Sequence, residues 1–234
     1  GKTTLIANLA MALAKKSGQN VAIIDADLQF GDMAVFFNLS PQSTIVEAVR
    51  DIDFLSPITL NSYFMPITEQ VRLLCGTKRP ELAENVSPQS FASLISMAKS
   101  LFRYILIVVP PAFNPISIAA AEASDRVFVV TMIDSGFEIM HMQRALEIFQ
   151  DGPDYHDKVK AVFTRVEPCT EEEEKRLAEA LGYPVYAIIP NEYLLVSTAA
   201  NNGRMAVDIK PDSGLARSVD RLAARICSSQ DKVV

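Results

Sequence analysis

The sequence predicts an α/β fold, a doubly wound and mostly parallel sheet in one domain over residues 1–234. Three observations predict it. Strand-like runs alternate with helical patterns along the chain. Several runs, such as Val21-Ala22-Ile23-Ile24 and Ile105-Leu106-Ile107-Val108-Val109, are apolar from end to end, the mark of parallel strands covered on both faces. The chain also opens on Gly1-Lys2-Thr3-Thr4, the second half of a phosphate loop of the form G-x-x-x-x-G-K-[ST], and a helical pattern follows at once. The first half of that loop, and the strand expected to feed it, are not among these residues, as expected of a fragment of a longer protein.

Leu5, Ile6, Leu9 and Leu13 recur at helical spacing with alanines between them, so a buried helix is expected over 3–16, closed by Ser17-Gly18. Residues 21–24 form the first central strand. Residues 44–50 read as a short helix and 71–75 as a strand stopped at Gly76. Between them, residues 54–68 mix prolines with apolar side chains, and two readings stand: a surface that faces a partner, or an irregular packed connection. Ser87-Pro88 opens a helix with proline in its first position. Phe91, Leu94, Ile95, Ala98 and Leu101 mark its inner face.

Residues 105–109 form a second apolar strand, stopped by Pro110-Pro111. An alanine-rich helix is expected over 116–124, a third buried strand over 126–131, and a helix over 136–149 whose Met140 and Met142 fill core. A fourth strand over 159–164 leads to a helix over 171–181, whose run Glu171–Glu174 suits the positive end of the helix dipole and reads as a solvated start rather than a metal site. A fifth strand over 185–189 ends at Pro190-Asn191, and helices over 194–200 and 215–226 complete the chain. No linker and no internal repeat is found.

Composition narrows the function. The net charge is −6 and the isoelectric point near 5.0, which argues against broad electrostatic binding to nucleic acid. Cys75, Cys169 and Cys227 are odd in number and widely spaced, so they read as reduced cytosolic thiols rather than a disulfide framework or a zinc site. His141 and His156 have no metal-ligand spacing and read as structural or solvent-facing. No apolar run reaches the length of about 18 residues that a membrane span needs. No signal peptide is found.

The helix after Gly1-Lys2-Thr3-Thr4 turns its free N–H groups and the positive end of its dipole toward the motif, a place for an anion. In a phosphate loop the lysine reaches the outer phosphates and the next hydroxyl ligates Mg²⁺. The plain alternative is a surface helix that happens to start this way. One helix later, Asp25-Ala26-Asp27-Leu28-Gln29-Phe30-Gly31-Asp32 sets carboxylates just beyond a central strand, where an α/β sheet binds ligands. These acids either cap the following turn or serve Mg²⁺ and water; their place one helix after the phosphate loop favours the second. Arg217, Arg221 and Arg225 share one face of the last helix, with Arg204 and Lys210 nearby. That face could meet phosphates or simply be solvated; the intervening Asp220 and the acidic total favour solvation.

Gly1 to Ala10 (G-K-T-T-L-I-A-N-L-A), Asp25 to Asp32 and Ile189 to Tyr193 (I-P-N-E-Y) together resemble the ParA/MinD superfamily of deviant P-loop ATPases, over nearly the whole chain. The D-x-D-L-Q-F-G-D segment, and the stretch from I-P-N-E-Y to D-I-K-P-D-S-G-L-A-R, most resemble its CpaE/TadZ branch. The resemblance implies a P-loop NTPase fold binding ATP and Mg²⁺, a homodimer closed around nucleotide, and hydrolysis to ADP and phosphate. It implies partners among pilus assembly and secretion proteins of Flp-type (tight adherence) pili. The protein would be cytoplasmic, recruited to the cell pole or the inner face of the membrane, with a receiver-like domain upstream. Lys2 falls on the phosphate-binding and catalytic lysine, Thr3 on the Mg²⁺-ligating hydroxyl, and Gly1 and Thr4 on further phosphate contacts. Asp27 falls on the acid that positions the attacking water, with Asp25 beside it at the metal. Adenine contacts fall on Thr164-Arg165 and Pro190-Asn191, although the family usually has asparagine where Thr164 stands.

Two departures bear on the chemistry the resemblance implies. The family's signature lysine early in the phosphate loop would precede Gly1. The aspartate that ends the family's third strand is replaced by Val108, which cannot accept a hydrogen bond from metal-bound water. Either Asp25 and Asp27 suffice, or nucleotide binding survives while hydrolysis is weak. Three functions therefore stand: an ATP-dependent localisation and assembly factor for pili, a nucleotide-binding scaffold with little or no hydrolysis, and a DNA-partitioning ATPase. Residues 228–234 are too short and polar for a membrane anchor, so a membrane would be reached only through partners.

Overall fold

The structure is a computed structural model and describes residues 1–133, 136–150, 157–167 and 170–228. It opens on α1 (Lys2–Ser17), where Leu5, Leu9 and Leu13 are buried among alanines. Gly18, at φ 67°, ends the helix by giving its N–H to the Ala14 carbonyl. The chain then runs β1 (Val21–Asp25), α2 (Met33–Phe36), α3 (Ile45–Arg50), α4 (Pro57–Leu60), β2 (Met65–Pro66), β3 (Val71–Leu74), α5 (Pro88–Ala98), β4 (Tyr104–Val108) and α6 (Pro115–Ala123). It continues through β5 (Val127–Met132), α7 (Phe137–Gln150), β6 (Val159–Val166), α8 (Glu171–Leu181), β7 (Val185–Pro190), α9 (Tyr193–Asn201), α10 (Ala206–Ile209) and α11 (Gly214–Ser228).

The strands pair in the order β2-β3-β1-β4 in one sheet and β5-β6-β7 in a second. Every pairing is parallel except that of the short edge strand β2 with β3. Helices cover both faces, as expected of a doubly wound α/β fold. The single continuous sheet is corrected to two, because β4 and β5 are not bonded to each other among the described residues. One core under α1 and α11 joins them: Ile23, Leu73 and Leu106 of the first sheet and Val162 and Ile189 of the second share it. The opposite face carries α3, α5 and α6 over the first sheet, and α7 and α8 over the second.

The strand directions fix where a ligand can sit. The Gln70 side chain, just before β3, donates to the Gly18 carbonyl at 2.9 Å, so the C-terminal end of α1 lies at the edge where the strands begin. Its N-terminal residue, Gly1, lies against Thr164 near the end of β6. The carboxyl ends of both sheets therefore share one edge, and α1 begins on it.

Most boundaries follow the sequence pattern, and the caps explain why. Thr44 and Glu47 form a capping box on α3, and Thr170 and Glu173 form another on α8. Ser87 caps α5 ahead of Pro88. Glu171 to Glu174 are exposed, as a solvated start requires.

Other readings are corrected. The strand taken as buried over 126–131 is half-exposed, because β5 is an edge strand of its sheet. Met142 is buried, but Met140 faces outward and is 47% exposed. Residues 54–68 form a connection of α4, single 3-10 turns and β2 that buries Leu60 and Phe64 while leaving Phe54 and Ile58 exposed. The short helices α2 and α10 have no apolar period of their own. His141 is exposed, and Cys75 and Cys227 are free thiols. His156, Cys169 and the tail 229–234 lie outside the described residues. Among the described residues no helix is long and apolar enough to cross a membrane.

Ile23 is fully buried at the centre of the shared core. Ile23→Ala is expected to cost about 2–5 kcal/mol in urea denaturation. Ile118→Ala, at a side chain 45% exposed, is expected to change stability by less than about 0.5 kcal/mol.

Candidate functional site

Gly1 sets the geometry of the site. A Cβ built on it would lie 2.2 Å from the Thr164 hydroxyl oxygen, so only glycine lets the chain pass here. Thr164 is itself fixed: it is buried, and its hydroxyl donates to the Thr131 carbonyl at 3.1 Å. Immediately after it, β6 slips register against β7 between Thr164 and Val166. Arg165 takes up the slip at φ 57°, a left-handed conformation that costs a non-glycine residue energy and gathers at binding sites. The charges of Arg165 and Lys2 both act on the Gly1 nitrogen. The first turn of α1 is thus an electropositive corner on top of a helix dipole.

Beside this corner lies a cavity of about 210 Å³. Gly1, Thr4, Thr164, Arg165, Pro190 and Asn191 are in its wall, brought there by α1, β6 and the end of β7. Phe36, Val196 and Leu215 supply apolar wall from α2, α9 and α11. The volume is below the roughly 300 Å³ at which pockets for whole drug-sized ligands begin. It has room for part of a larger ligand.

The acidic loop forms a second feature on the same edge. Asp25, the last residue of β1, is buried and accepts the N–H of Asp27 at 3.3 Å and of Met33 at 3.1 Å. Its carboxylate therefore folds the loop back on itself and anchors the start of α2. The turn closes so tightly that a Cβ on Gly31 would lie 2.6 and 2.7 Å from the Asp25 carboxylate oxygens. Burial pushes the Asp25 carboxyl up to about 6, aided by the charges of Asp27 and Asp32 and opposed by the two N–H donors. Asp27 is half-buried and accepts the Phe30 N–H at 3.1 Å.

Val108 is paired in register with Asp25 on the neighbouring strand. Strand alternation puts both side chains on the α1 face, and Val108 is packed into the core there. An aspartate at this position would set a second carboxylate beside the first.

The structure thus brings Gly1, Thr4, Thr164, Arg165, Pro190 and Asn191 to one cavity. Lys2 and Thr3 occupy the half-buried first turn of α1 next to it. Asp25 and Asp27 stand on the same edge but do not line the cavity. Among the described residues no three His, Cys, Asp or Glu side chains gather as a metal cluster. Hydroxyl and carboxylate oxygens of the Thr3, Asp25 and Asp27 kind suit Mg²⁺, which is commonly held by one or two carboxylates plus ligand phosphates. Phe36, Glu192 and Gly31 were given no role by the sequence reading, although Gly31 lies inside the acidic run and Glu192 inside I-P-N-E-Y.

The arginine face of α11 is occupied locally. Arg217 donates to the Asp212 carbonyl and Arg221 to Ser218. Arg225 donates to the Tyr186 carbonyl and lies 3.8 Å over the Tyr186 ring. Lys16 pairs with Asp220 in the middle of the stripe.

Comparison with known proteins agrees with this architecture. Residues 1–204 match the family described as the CobQ/CobB/MinD/ParA nucleotide binding domain. The chain is 25% identical to the septum site-determining protein MinD of Thermotoga maritima over 241 residues, covering 97% of this chain and 83% of that protein. It superposes on a ParA family ATPase from Chlorobium tepidum with a TM-score of 0.87 at 18% identity, covering 95% of this chain and 92% of the other. MinD of Pyrococcus horikoshii, solved with Mg-ADP, superposes with a TM-score of 0.78 at 20% identity, covering 97% and 91%.

Two outcomes test this geometry. The folded-state pKa of Asp25, about 6 against an ordinary 3.8, means that its protonated form is the one the fold favours. Its contribution is full below pH 3.8 and is lost as pH rises through 6. In nucleotide- and magnesium-free buffer, stability at pH 7 should be lower on this account by at most about 3 kcal/mol, and Asp25→Asn should flatten that slope in urea melts. Gly31→Ala should destabilise by about 1–3 kcal/mol, read by thermal denaturation.

Proposed function

We propose, because the chain belongs to the CobQ/CobB/MinD/ParA nucleotide binding domain family, that it binds ATP with Mg²⁺ at the start of α1. One observation carries the reading: six residues named as nucleotide contacts, drawn from three separate segments, line a single cavity beside the first turn of that helix. The base and sugar enter the cavity between Arg165 and Pro190-Asn191. The phosphates run along Gly1 to Thr4, where backbone N–H groups, the helix dipole and the Lys2 ammonium meet them. Mg²⁺ would be held by Thr3 and the acidic loop, and when bound it neutralises charge on the phosphate oxygens. Asp27 orients water for attack. Asp25 shapes the loop that presents Asp27, by holding the backbone of Asp27 and Met33.

The family's use of such a site, as implied by the resemblance, is a homodimer closed around nucleotide that recruits partner proteins. The finer assignment to localisation and assembly of Flp-type pili rests on the D-A-D-L-Q-F-G-D, I-P-N-E-Y and D-I-K-P-D-S-G-L-A-R segments alone. A second reading, a nucleotide-held scaffold that turns over little, is favoured by Val108 beside Asp25. DNA partitioning is not favoured, since the arginines of α11 are engaged with their own chain.

ATP binding and hydrolysis measured side by side on the full-length protein separate the first two. Lys2→Ala should weaken ATP binding by at least about tenfold. Asp27→Ala should leave binding within a few-fold while lowering turnover by about a hundredfold or more. Binding with no turnover in the wild type, unchanged by Asp27→Ala, would establish the scaffold reading instead.

A further inference from the structure

Glu192 occupies a joint between the loop after β7 and the starts of two helices. It follows Pro190-Asn191 and stands at the N-terminal boundary of α9. Its Oε1 accepts the N–H of Gly214 at 2.7 Å and of Leu215 at 3.2 Å, the first residues of α11. Its own carbonyl accepts the Val196 N–H in the first turn of α9. A single residue thus connects the loop after β7 and the starts of two helices that are far apart in sequence.

The approach is close on both sides. A Cβ on Gly214 would lie 3.0 Å from the Glu192 Oε1 and 3.2 Å from the Pro190 Cγ. A side chain at residue 214 would press on Glu192 and Pro190, which would have to give by a few tenths of an ångström to admit it. The neighbouring cap is separate: the Ser213 hydroxyl accepts the Ala216 N–H at 3.0 Å. Glu192 therefore satisfies donors of α11 that Ser213 leaves, and as an anion at a helix N-terminus it is further favoured by the dipole.

Pro190, Asn191, Glu192 itself, Val196, Leu215 and Val219 all line the cavity. They come from the three pieces that Glu192 ties together. If the joint opened, the walls on either side would separate, while Gly1 to Thr4 would keep their place, held by α1 and Thr164.

We propose that Glu192 is a positioning residue for the base-binding half of the site, fixing the loop after β7 against α11 so that the cavity fits a nucleoside. This rests on the nucleotide-binding reading above. Glu192 does not hold phosphate, so its removal weakens the base-dependent part of binding and spares the phosphate part. A purely structural residue would not divide the two.

The test is calorimetric titration of the full-length protein with ADP and, separately, with inorganic pyrophosphate, both with Mg²⁺. Glu192→Ala should weaken ADP about tenfold, equivalent to about 1.4 kcal/mol, with pyrophosphate affinity changed less than twofold. Glu192→Gln keeps an acceptor oxygen at the same place and should restore ADP binding to within about threefold. Gly214→Ala presses on the same joint from the other side and should repeat the ADP-selective loss, which keeps the test open if Glu192→Ala folds poorly. Equal loss of both ligands, or unchanged ADP affinity in a folded Glu192→Ala, would overturn the proposal. Wild-type protein that binds pyrophosphate but gains nothing from the nucleoside would overturn it too, and with it the placement of the base. Wild-type protein that binds neither would remove the nucleotide reading on which it stands.

Discussion

The contact on which the carboxyl edge depends is the passage of Gly1 against Thr164. Helix α1 must begin within van der Waals reach of β6 if its free N–H groups are to open onto the cavity, and a side chain at Gly1 would collide with the Thr164 hydroxyl. The rest of α1 is built to hold that position. Its alanines let it lie close to strands of both sheets, and Leu5, Leu9 and Leu13 fill the shared core. Asn8, buried in the same helix, binds the Thr4 carbonyl on one side and accepts the Val207 N–H on the other. The helix is thereby fixed to α10 as well as to the sheets. Packing sets the place of the first turn, and the first turn sets the electrostatics.

The acidic loop illustrates the opposite economy. Burying a carboxylate is unfavourable unless donors meet it, and Asp25 is met by two backbone N–H groups. Burial still leaves its carboxyl pKa raised, with the two donors offsetting part of that cost. The arrangement costs stability, but it gives the loop one shape and delivers Asp27 to the carboxyl edge without occupying Asp27's remaining lone pairs. Natural sequences tolerate such local costs where a site has to be preorganised.

The sequence made the fold legible because each β–α alternation carries its own punctuation. Ser87-Pro88, Thr170 with Glu173, and Gly18 are local signals whose physics is complete within a few residues. The phosphate-loop residues were legible from their motif and the proposed adenine-side residues only from the family resemblance, and six of these residues line one cavity. What stayed hidden depends on contacts between distant segments. Phe36 reaches the cavity wall only because Asp25 pins α2, and Glu192 has a role only once Gly214 arrives beside it. The division into two sheets and the half-exposure of β5 were hidden for a similar reason, since strand order is a property of the assembled core. Met140 misled because its helix has an apolar side wider than the core it covers.

Val108 brings the two halves of the site together. In its place an aspartate would share the α1 face with Asp25, and two buried carboxylates side by side repel unless a cation lies between them. Valine removes that repulsion and lets β4 pack fully under α1 with no ion present. The acidic loop can then hold one shape through its own backbone hydrogen bonds, whether or not a metal is bound. A loop that keeps its shape without the ion is less dependent on the phosphate state for its order. With Val108 in that place, Asp25 and Asp27 are the carboxylates left at this point of the edge.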